Sequence, residues 1–199
     1  MKRVTLAMTG GSGAQYSFRL LECLLEADCE ISFLISDAGR EVVRLETDVP
    51  LPLTTSDTED FLREYFGAEE GQITAYDKQD WLSPVASGSG CPPYMVICPA
   101  SGGTLSAIAH GLSNNLIERA ADVVIKERKK LIVLPREMPV SSIHLENLLK
   151  LSNNGVVVMP ASPGFYYKPE TVDDLVDFVV ARILDQLDIE HQLVDRWGC

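Results

Sequence analysis

Apolar and polar positions alternate in blocks along this chain, and the blocks predict strands and helices in turn. The first block, Val4 to Met8, is a short uncharged apolar run, which is typical of a buried strand. From residue 14 to 27, Phe18, Leu21 and Leu25 fall on one stripe, as in an amphipathic helix. Further strands are predicted at residues 30–35, 73–76, 95–98, 131–134 and 156–159. This alternation over residues 1–199 predicts a single α/β domain with a doubly wound parallel sheet of about six strands and helices on both faces.

Local signals place the helix ends. Ser56 with Glu59 forms a capping-box pattern that predicts a helix through Tyr65, and Gly67 stops it. The remaining helices are predicted at residues 37–46, after Ser101, after Gly111, from Ser141 to Leu151 and from Thr171 onward.

The turn after the first strand, Thr9 to Gly13, is rich in glycine. Such a turn lets backbone N–H groups approach an anion, and the start of the following helix favours negative charge. The dinucleotide pattern G-x-G-x-x-G is incomplete because Tyr16 replaces the third glycine, so a plain tight turn remains an alternative. Ser36, at the end of the second strand, suits a phosphate or flavin ligand, whereas Asp37 beside it leaves a dinucleotide open.

A second strand–turn–helix unit carries Ser101, Gly102, Gly103 and Thr104 where the helix begins. These residues offer hydroxyl and free N–H groups, which together form an anion-binding nest. Two such turns at the carboxyl ends of parallel strands favour a bound phosphorylated ligand.

The segment from Trp81 to Pro93 is rich in Gly, Ser and Pro and has no periodicity. Such a segment is either disordered or a functional loop. Trp81 at its start is interpreted either as a surface-loop anchor or as an aromatic face that stabilises a carbocation.

The formal net charge of −12 argues against nucleic acid as a general partner. The basic residues concentrate in one window of the chain, where the run Arg128 to Lys130 is interpreted as a solvated helix face. This window contains Arg119, Lys126, Arg128, Lys129, Lys130 and Arg136. The pair Arg136–Glu137 directly follows a strand, and it is interpreted either as a salt bridge or as a phosphate-binding cation beside a general acid or base.

The five cysteines, an odd number without a C-x-x-C pair, indicate a reducing cytoplasm and no disulfide framework or structural zinc. His110, His144 and His191 are isolated in the sequence, so no metal site is indicated. No apolar run reaches the roughly 18 residues of a membrane span, and we expect no membrane partner. Lys2 and Arg3 precede a first strand rather than a signal peptide.

Several motifs occur together in a fixed order along the chain. They are T-G-G-S-G-A from Thr9, L-E-T-D at 45–48, the Trp81 loop with A-S-G-S, C-P-A-S-G-G-T-L-S, N-N-L-I-E-R-A-A-D-V with K-E-R, P-R-E-M-P, H-L-E-N, P-G-F-Y, V-A-R-I-L-D-Q and a terminal R-W-G. In this order they resemble the UbiX-type flavin prenyltransferases, also known as the UbiX/Pad family and formerly labelled aromatic-acid decarboxylases. The resemblance implies a Rossmann-like, flavodoxin-like fold.

The resemblance also implies site residues. FMN would be bound by Gly11, Ser12, Gly13, Ser36, Ser101, Gly102, Gly103, Thr104 and Arg136. The phosphate of dimethylallyl monophosphate would be held by Ser87, Arg119, Lys126, Arg136, Tyr166 and Arg182. Catalytic positions would be Ser12, Glu46, Trp81 and Glu137.

The reaction implied by the resemblance joins the dimethylallyl group to N5 and C6 of reduced FMN without a metal. The product, prenylated FMN, would serve a UbiD-type decarboxylase, and the family implies a cytoplasmic homo-dodecamer with sites at subunit junctions and a link to ubiquinone biosynthesis. One departure is Ala100, where relatives often have cysteine. The alternatives are an FMN-dependent cysteine-type decarboxylase or a flavin carrier, whereas the missing third glycine and Ser36 disfavour an NAD-dependent dehydrogenase.

Overall fold

The computed structural model describes residues 1–196 and 198, and its centre is one parallel sheet. The strands lie in the order β3-β2-β1-β4-β5-β6. Their bounds are β1 Arg3–Met8, β2 Glu30–Ile35, β3 Ile73–Ala75, β4 Tyr94–Ala100, β5 Lys130–Pro135 and β6 Val157–Val158. All five neighbouring pairs are parallel, which confirms the predicted doubly wound sheet.

Helices cover both faces of the sheet. They are α1 Ala14–Glu26, α2 Asp37–Glu46, α3 Thr55–Phe66, α4 Gly102–Ala109, α5 Leu116–Lys126, α6 Ser142–Asn153 and α7 Val172–Gln186, with a single 3-10 turn at Pro84–Ala86. Successive strand residues point to opposite faces. Leu6 therefore packs in the apolar cluster that includes α1, α3 and α7, whereas Ala7 packs in the cluster that includes α4, α5 and α6.

Two predicted helix starts were wrong. Helix α3 is capped by Thr54, whose hydroxyl accepts a hydrogen bond from the N–H of Asp57 at 3.2 Å. Glu59 does not take part in a capping box with Ser56, because its carboxylate accepts the N–H of Ala75 at the end of β3, at 2.8 Å.

Helix α5 begins at Leu116 rather than directly after Gly111. The side chain of Asn115 accepts the N–H of Glu118 at 3.0 Å, and asparagine is a strong N-cap. The N-cap of α5 is therefore Asn115, four residues after Gly111.

The segment from Trp81 to Pro93 is an ordered loop that packs beside α5. Within α5, Nε of Arg119 donates to the carbonyl of Ala86 at 3.2 Å. Beyond its C-terminal end, Lys129 donates to the carbonyl of Cys91 at 2.7 Å.

Two residues of interest, Trp197 of the R-W-G motif and Cys199, lie outside the described residues. The described cysteines Cys23, Cys29, Cys91 and Cys98 are buried free thiols. In the part of the chain that the structure describes, no helix is long and apolar enough to cross a membrane.

Candidate functional site

The crevice between the ends of β1 and β4 is where the chain changes direction across the sheet, because β2 and β3 lie on one side and β5 and β6 on the other. Ligands of open parallel sheets bind at such a switch point. Thr9 ties the two glycine turns together here. Its hydroxyl donates to the carbonyl of Pro99 at 2.9 Å and accepts the N–H of Ser101 at 2.7 Å. Sequence reasoning assigned no role to Thr9, although it opens the first turn.

The first turn holds a carboxylate of the chain itself. The N–H groups of Gly13 and Ala14 donate to one oxygen of Glu46, at 2.8 and 3.0 Å, and Ser12 also bonds to that side chain. Gly13 has a φ of 117°, in the left-handed region that favours glycine, and it offers no side chain to cap α1. Glu46 supplies that cap instead.

This arrangement changes the electrostatics of the turn. Burial raises the pKa of Glu46, but the hydrogen bonds from Ser12, Gly13 and Ala14 and the charge of Arg136 outweigh it, so the pKa is lowered. Glu46 is therefore ionised at neutral pH. Part of the predicted anion site at the start of α1 is therefore occupied by the carboxylate of Glu46. The N–H groups in the range 10–12 bond to no residue that the structure describes, which leaves them available as donors to a ligand.

Hydroxyl groups and N–H groups at the neighbouring strand ends extend this row of donors. The hydroxyl of Ser36 accepts the N–H of Gly39 at 3.0 Å and retains its proton for another acceptor. Ser101 caps α4 and donates to the hydroxyl of Thr104 at 3.0 Å. Helix α4 begins at Gly102 directly after this cap, so its N-terminus is open at the carboxyl edge of the sheet. Such donors suit the phosphate and carbonyl oxygens of FMN, and the chain's own residues therefore fit that group.

Arg136 and Glu137 follow β5 directly, and both are exposed. They form no ion pair with each other, so the salt-bridge interpretation was wrong; every ion pair of the described residues involves other side chains. The charge of Arg136 lowers the pKa of Glu46, which places this cation beside the first turn.

A pocket opens between α4, α6 and the end of β5. Its walls are mostly apolar, and its polar lining residues are Arg136, Glu137, His144 and Asn147. A Cβ built on Gly102 would lie 3.1 Å from Nε2 of His144 and 3.7 Å from Oε2 of Glu137, so helix α4 approaches closely because glycine stands there. Ala100 lines the same pocket.

His144 and Asn147 are site residues that sequence reasoning missed. His144 was set aside as an isolated histidine, and Asn147 was given no role. The signal was the H-L-E-N motif, in which the two residues are three positions apart and therefore share one face of α6.

The residues expected to hold a substrate phosphate do not meet within one chain. Lys126 ends α5, just before β5 begins, and Arg136 follows the other end of that strand. Six strand residues at about 3.3 Å each separate the two positions by roughly 20 Å. Lys126 pairs with Glu127, and Arg119 pairs with Asp122 at 3.0 Å.

Other predicted residues form two further groups. Near Arg119, whose Nε donates to the carbonyl of Ala86 at 3.2 Å, the hydroxyl of Ser87 lies 3.2 Å from that of Ser89. The ring of Tyr166, in the loop before α7, packs edge-on against Phe178 of α7 with centroids 5.8 Å apart.

Arg182 lies ten residues into α7, about 15 Å along the helix, and pairs with Asp185 at 2.6 Å. Trp81 is 44% exposed at the start of the segment from Trp81 to Pro93, which precedes α5 in the chain and packs beside it. Within residues 1–196 and 198, no group of three His, Cys, Asp or Glu side chains is placed to hold a metal ion.

Comparisons with known proteins agree with this architecture. The profile of the family described as Flavoprotein matches residues 1–184. The flavin prenyltransferase UbiX of Pseudomonas aeruginosa is 59% identical over 197 residues, covering 99% of this chain and 94% of the relative. The solved structure of AnUbiX (PadA1) in complex with FMN and dimethylallyl pyrophosphate superposes with a TM-score of 0.87 at 33% identity, covering 100% of this chain and 98% of that one. The solved structure of a dodecameric FMN-dependent UbiX-like decarboxylase from Escherichia coli superposes with a TM-score of 0.85 at 39% identity. The match covers 99% of this chain and 100% of that one.

Proposed function

This chain belongs to the UbiX family of flavin prenyltransferases, and we propose that it joins the dimethylallyl group of dimethylallyl monophosphate to N5 and C6 of reduced FMN. Phosphate leaves, and prenylated FMN is the product. The observation that carries the proposal is the edge where Thr9 joins the two glycine turns, with Arg136 and Glu137 beside them. The 59% identity to a curated flavin prenyltransferase over nearly the whole chain supports the same reaction.

FMN would lie along the donor row. The N–H groups of Gly11 and Ser12 and the hydroxyl of Ser36 would hold its phosphate. The second turn and Arg136 would hold the ring system, with Ser101, Gly102, Gly103 and Thr104 as the contacting residues. Gly13 would shape the turn through its left-handed backbone conformation. It would not donate its N–H to the phosphate, because that N–H is already bonded to Glu46. Bound reduced FMN supplies the nucleophilic nitrogen of the reaction.

Ser12 and Glu46 form a proton-handling pair in this proposal. The carboxylate of Glu46 is held ionised and bonds to Ser12, so it can accept a proton through the serine hydroxyl. Ser12 would then move a proton close to the reacting nitrogen, and the backbone N–H groups of the first turn keep the pair in place.

Glu137 and Trp81 would act on the allylic substrate. Glu137 would act as the general acid toward the leaving phosphate, because it lines the pocket at the end of β5 next to Arg136. Trp81 would shield positive charge that develops on the allyl group, because an aromatic face attracts a cation. Monophosphate can leave as an anion among Lys and Arg side chains, so we propose that the reaction is independent of metal.

The phosphate site would be completed by neighbouring subunits. Lys126 with Arg119 and Ser87, Tyr166 with Arg182, and Arg136 lie in three separate places on one chain. A dodecamer like that of the E. coli relative would bring such groups together at subunit junctions. We therefore infer a homo-dodecamer whose sites are shared between copies.

The product would be consumed elsewhere. We propose that prenylated FMN passes to a UbiD-type decarboxylase in the cytoplasm, with ubiquinone biosynthesis as the setting. This chain would then not decarboxylate a substrate itself. A flavin carrier would have no use for the cations on α5 and α7, and turnover of dimethylallyl monophosphate separates the proposal from a cysteine-type decarboxylase.

The test is an anaerobic incubation of the protein with reduced FMN and dimethylallyl monophosphate, followed by the mass of the flavin. We expect a gain of one five-carbon prenyl unit, and parallel reactions with the pyrophosphate establish which donor is used. Glu137→Gln should slow product formation, whereas Glu146→Gln, a matched change at an exposed position of α6, should not. Tightly bound but unmodified FMN would instead favour the decarboxylase or the carrier.

A further inference from the structure

Asn147 is a buried polar side chain that faces the pocket between α4 and α6. We propose that this pocket receives the pyrimidine edge of the bound flavin and that the carboxamide of Asn147 recognises it. The inference rests on the proposed function, since it deepens how the chain holds FMN. The pyrimidine edge presents carbonyl acceptors on both sides of an N–H donor, and a carboxamide presents one donor and one acceptor that complement them.

The first observation is the burial of Asn147. Its side chain lines the pocket, and the residue is only 6% exposed. None of the described residues forms a hydrogen bond with its carboxamide. Buried polar side chains are normally paired, as Gln72 is with the carbonyl of Leu25 at 3.0 Å. The carboxamide of Asn147 instead reaches the open space of the pocket, where a ligand group would be its partner.

The second observation is the shape of the pocket. Leu105, Pro135 and Leu148 form apolar walls that suit the faces of a planar ring. The dimethylbenzene end of the flavin carries no polar atom, so it would leave the carboxamide of Asn147 unpaired. The pyrimidine end is therefore the part of the ring that this chemistry selects.

His144 marks the boundary of the pocket. Its Nδ1 accepts the N–H of Ser141 in the capping box that starts α6, at 3.4 Å, so Nε2 points towards Gly102. Asn147 follows one turn later on the same face. Helix α6 thus presents two polar groups to the pocket in a fixed register.

The third observation is the position of the pocket relative to the phosphate donors. Ser36 follows β2 and the pocket lies at the end of β5, so three strand spacings separate them, roughly 14 Å. The ribityl chain and fused rings of FMN can extend across that distance. The second glycine turn lies between the two ends, where the ring would pass.

The experiment is a titration of the assembled protein with FMN and with FMN methylated at N3. We compare wild type, Asn147→Leu, and Asn153→Leu as a control at an exposed position of the same helix. The Asn147→Leu substitution should weaken FMN binding about tenfold, and Asn153→Leu less than about twofold. Wild type should bind the methylated flavin about tenfold more weakly than FMN. For Asn147→Leu the difference between the two flavins should be much smaller, because the contact from the carboxamide to the pyrimidine edge is already absent.

Full FMN affinity in a folded Asn147→Leu protein would overturn the inference. Equal binding of FMN and N3-methylated FMN by wild type would also overturn it, and this arm needs no variant to fold. A raised KM for dimethylallyl monophosphate with unchanged FMN affinity would assign the pocket to the allyl chain and refute the inference. If wild type prenylates FMN but gives one of these contrary results, the inference is refuted and the proposed function stands. If wild type binds no FMN, the inference and the proposed function are both refuted.

Discussion

The carboxylate of Glu46 caps helix α1 from 33 positions along the chain, and replacing it by Gln tests that contact directly. One oxygen accepts the N–H groups of Gly13 and Ala14 at 2.8 and 3.0 Å. Glutamine can keep an oxygen at that place but carries no charge. The substitution therefore removes the charge-assisted part of the two hydrogen bonds and the attraction to the helix dipole.

The expected loss follows from these contacts. A hydrogen bond to a charged group is worth about 1 kcal/mol more than a neutral one, and two such bonds are changed. The helix dipole adds about 0.3–1 kcal/mol, part of which solvent screens because Glu46 is only half-buried. We expect about 2 kcal/mol of destabilisation, or a Tm lowered by about 4–8 °C in a chain of this size.

The assay is thermal unfolding without FMN at one fixed subunit concentration, because assembly makes Tm depend on concentration. The folded-state pKa of Glu46 lies below its unfolded value. The stabilisation is thus fully present above the unfolded pKa and is lost as pH falls through the lower folded pKa. The difference in Tm between wild type and Glu46→Gln should be complete above about pH 5 and shrink below about pH 4.

The control is Glu41→Gln on the same helix. Glu41 is exposed and pairs with Arg44 at 2.8 Å, and exposed pairs of this kind contribute less than about 1 kcal/mol. The reasoning fails if Glu46→Gln melts like Glu41→Gln at pH 7. It also fails if the difference between wild type and Glu46→Gln persists unchanged at about pH 3.

Three further predictions follow from the same geometry. Mixed assemblies of Lys126→Ala and Glu137→Gln chains should regain activity in about a quarter of their sites if different copies supply the two residues, and no recovery would place both in one subunit. Gly13→Ala should lower the free energy of unfolding by about 1–2 kcal/mol, measured by thermal unfolding, because its φ is 117°; an unchanged Tm would contradict this. Asp185→Asn should raise the KM for dimethylallyl monophosphate severalfold without changing FMN affinity, since Asp185 pairs with Arg182 at 2.6 Å; an unchanged KM would remove that positioning role.

The sequence by itself determined the elements and their class. Because each strand and helix buries one or both faces, its apolar residues recur at a regular spacing. This spacing predicted the alternating strands and helices and the parallel sheet, and the glycines between them predicted both turns. Local capping signals such as Ser141 and Thr171 also held, because the cap and the N–H that it accepts are three residues apart. Where two capping residues competed, as Thr54 and Ser56 did, the local pattern was insufficient.

Only the tertiary structure decided which residues meet. The carboxylate of Glu46 reaches the first turn because α2 packs beside α1, and no periodicity records that contact. Lys126 and Arg136 lie close in sequence yet at opposite ends of β5, since a strand keeps its two ends apart. Asn147 faces the pocket because α4 and α6 pack against each other. Periodicity specifies which face of an element is buried, whereas the contacts between elements depend on the order of the strands in the sheet.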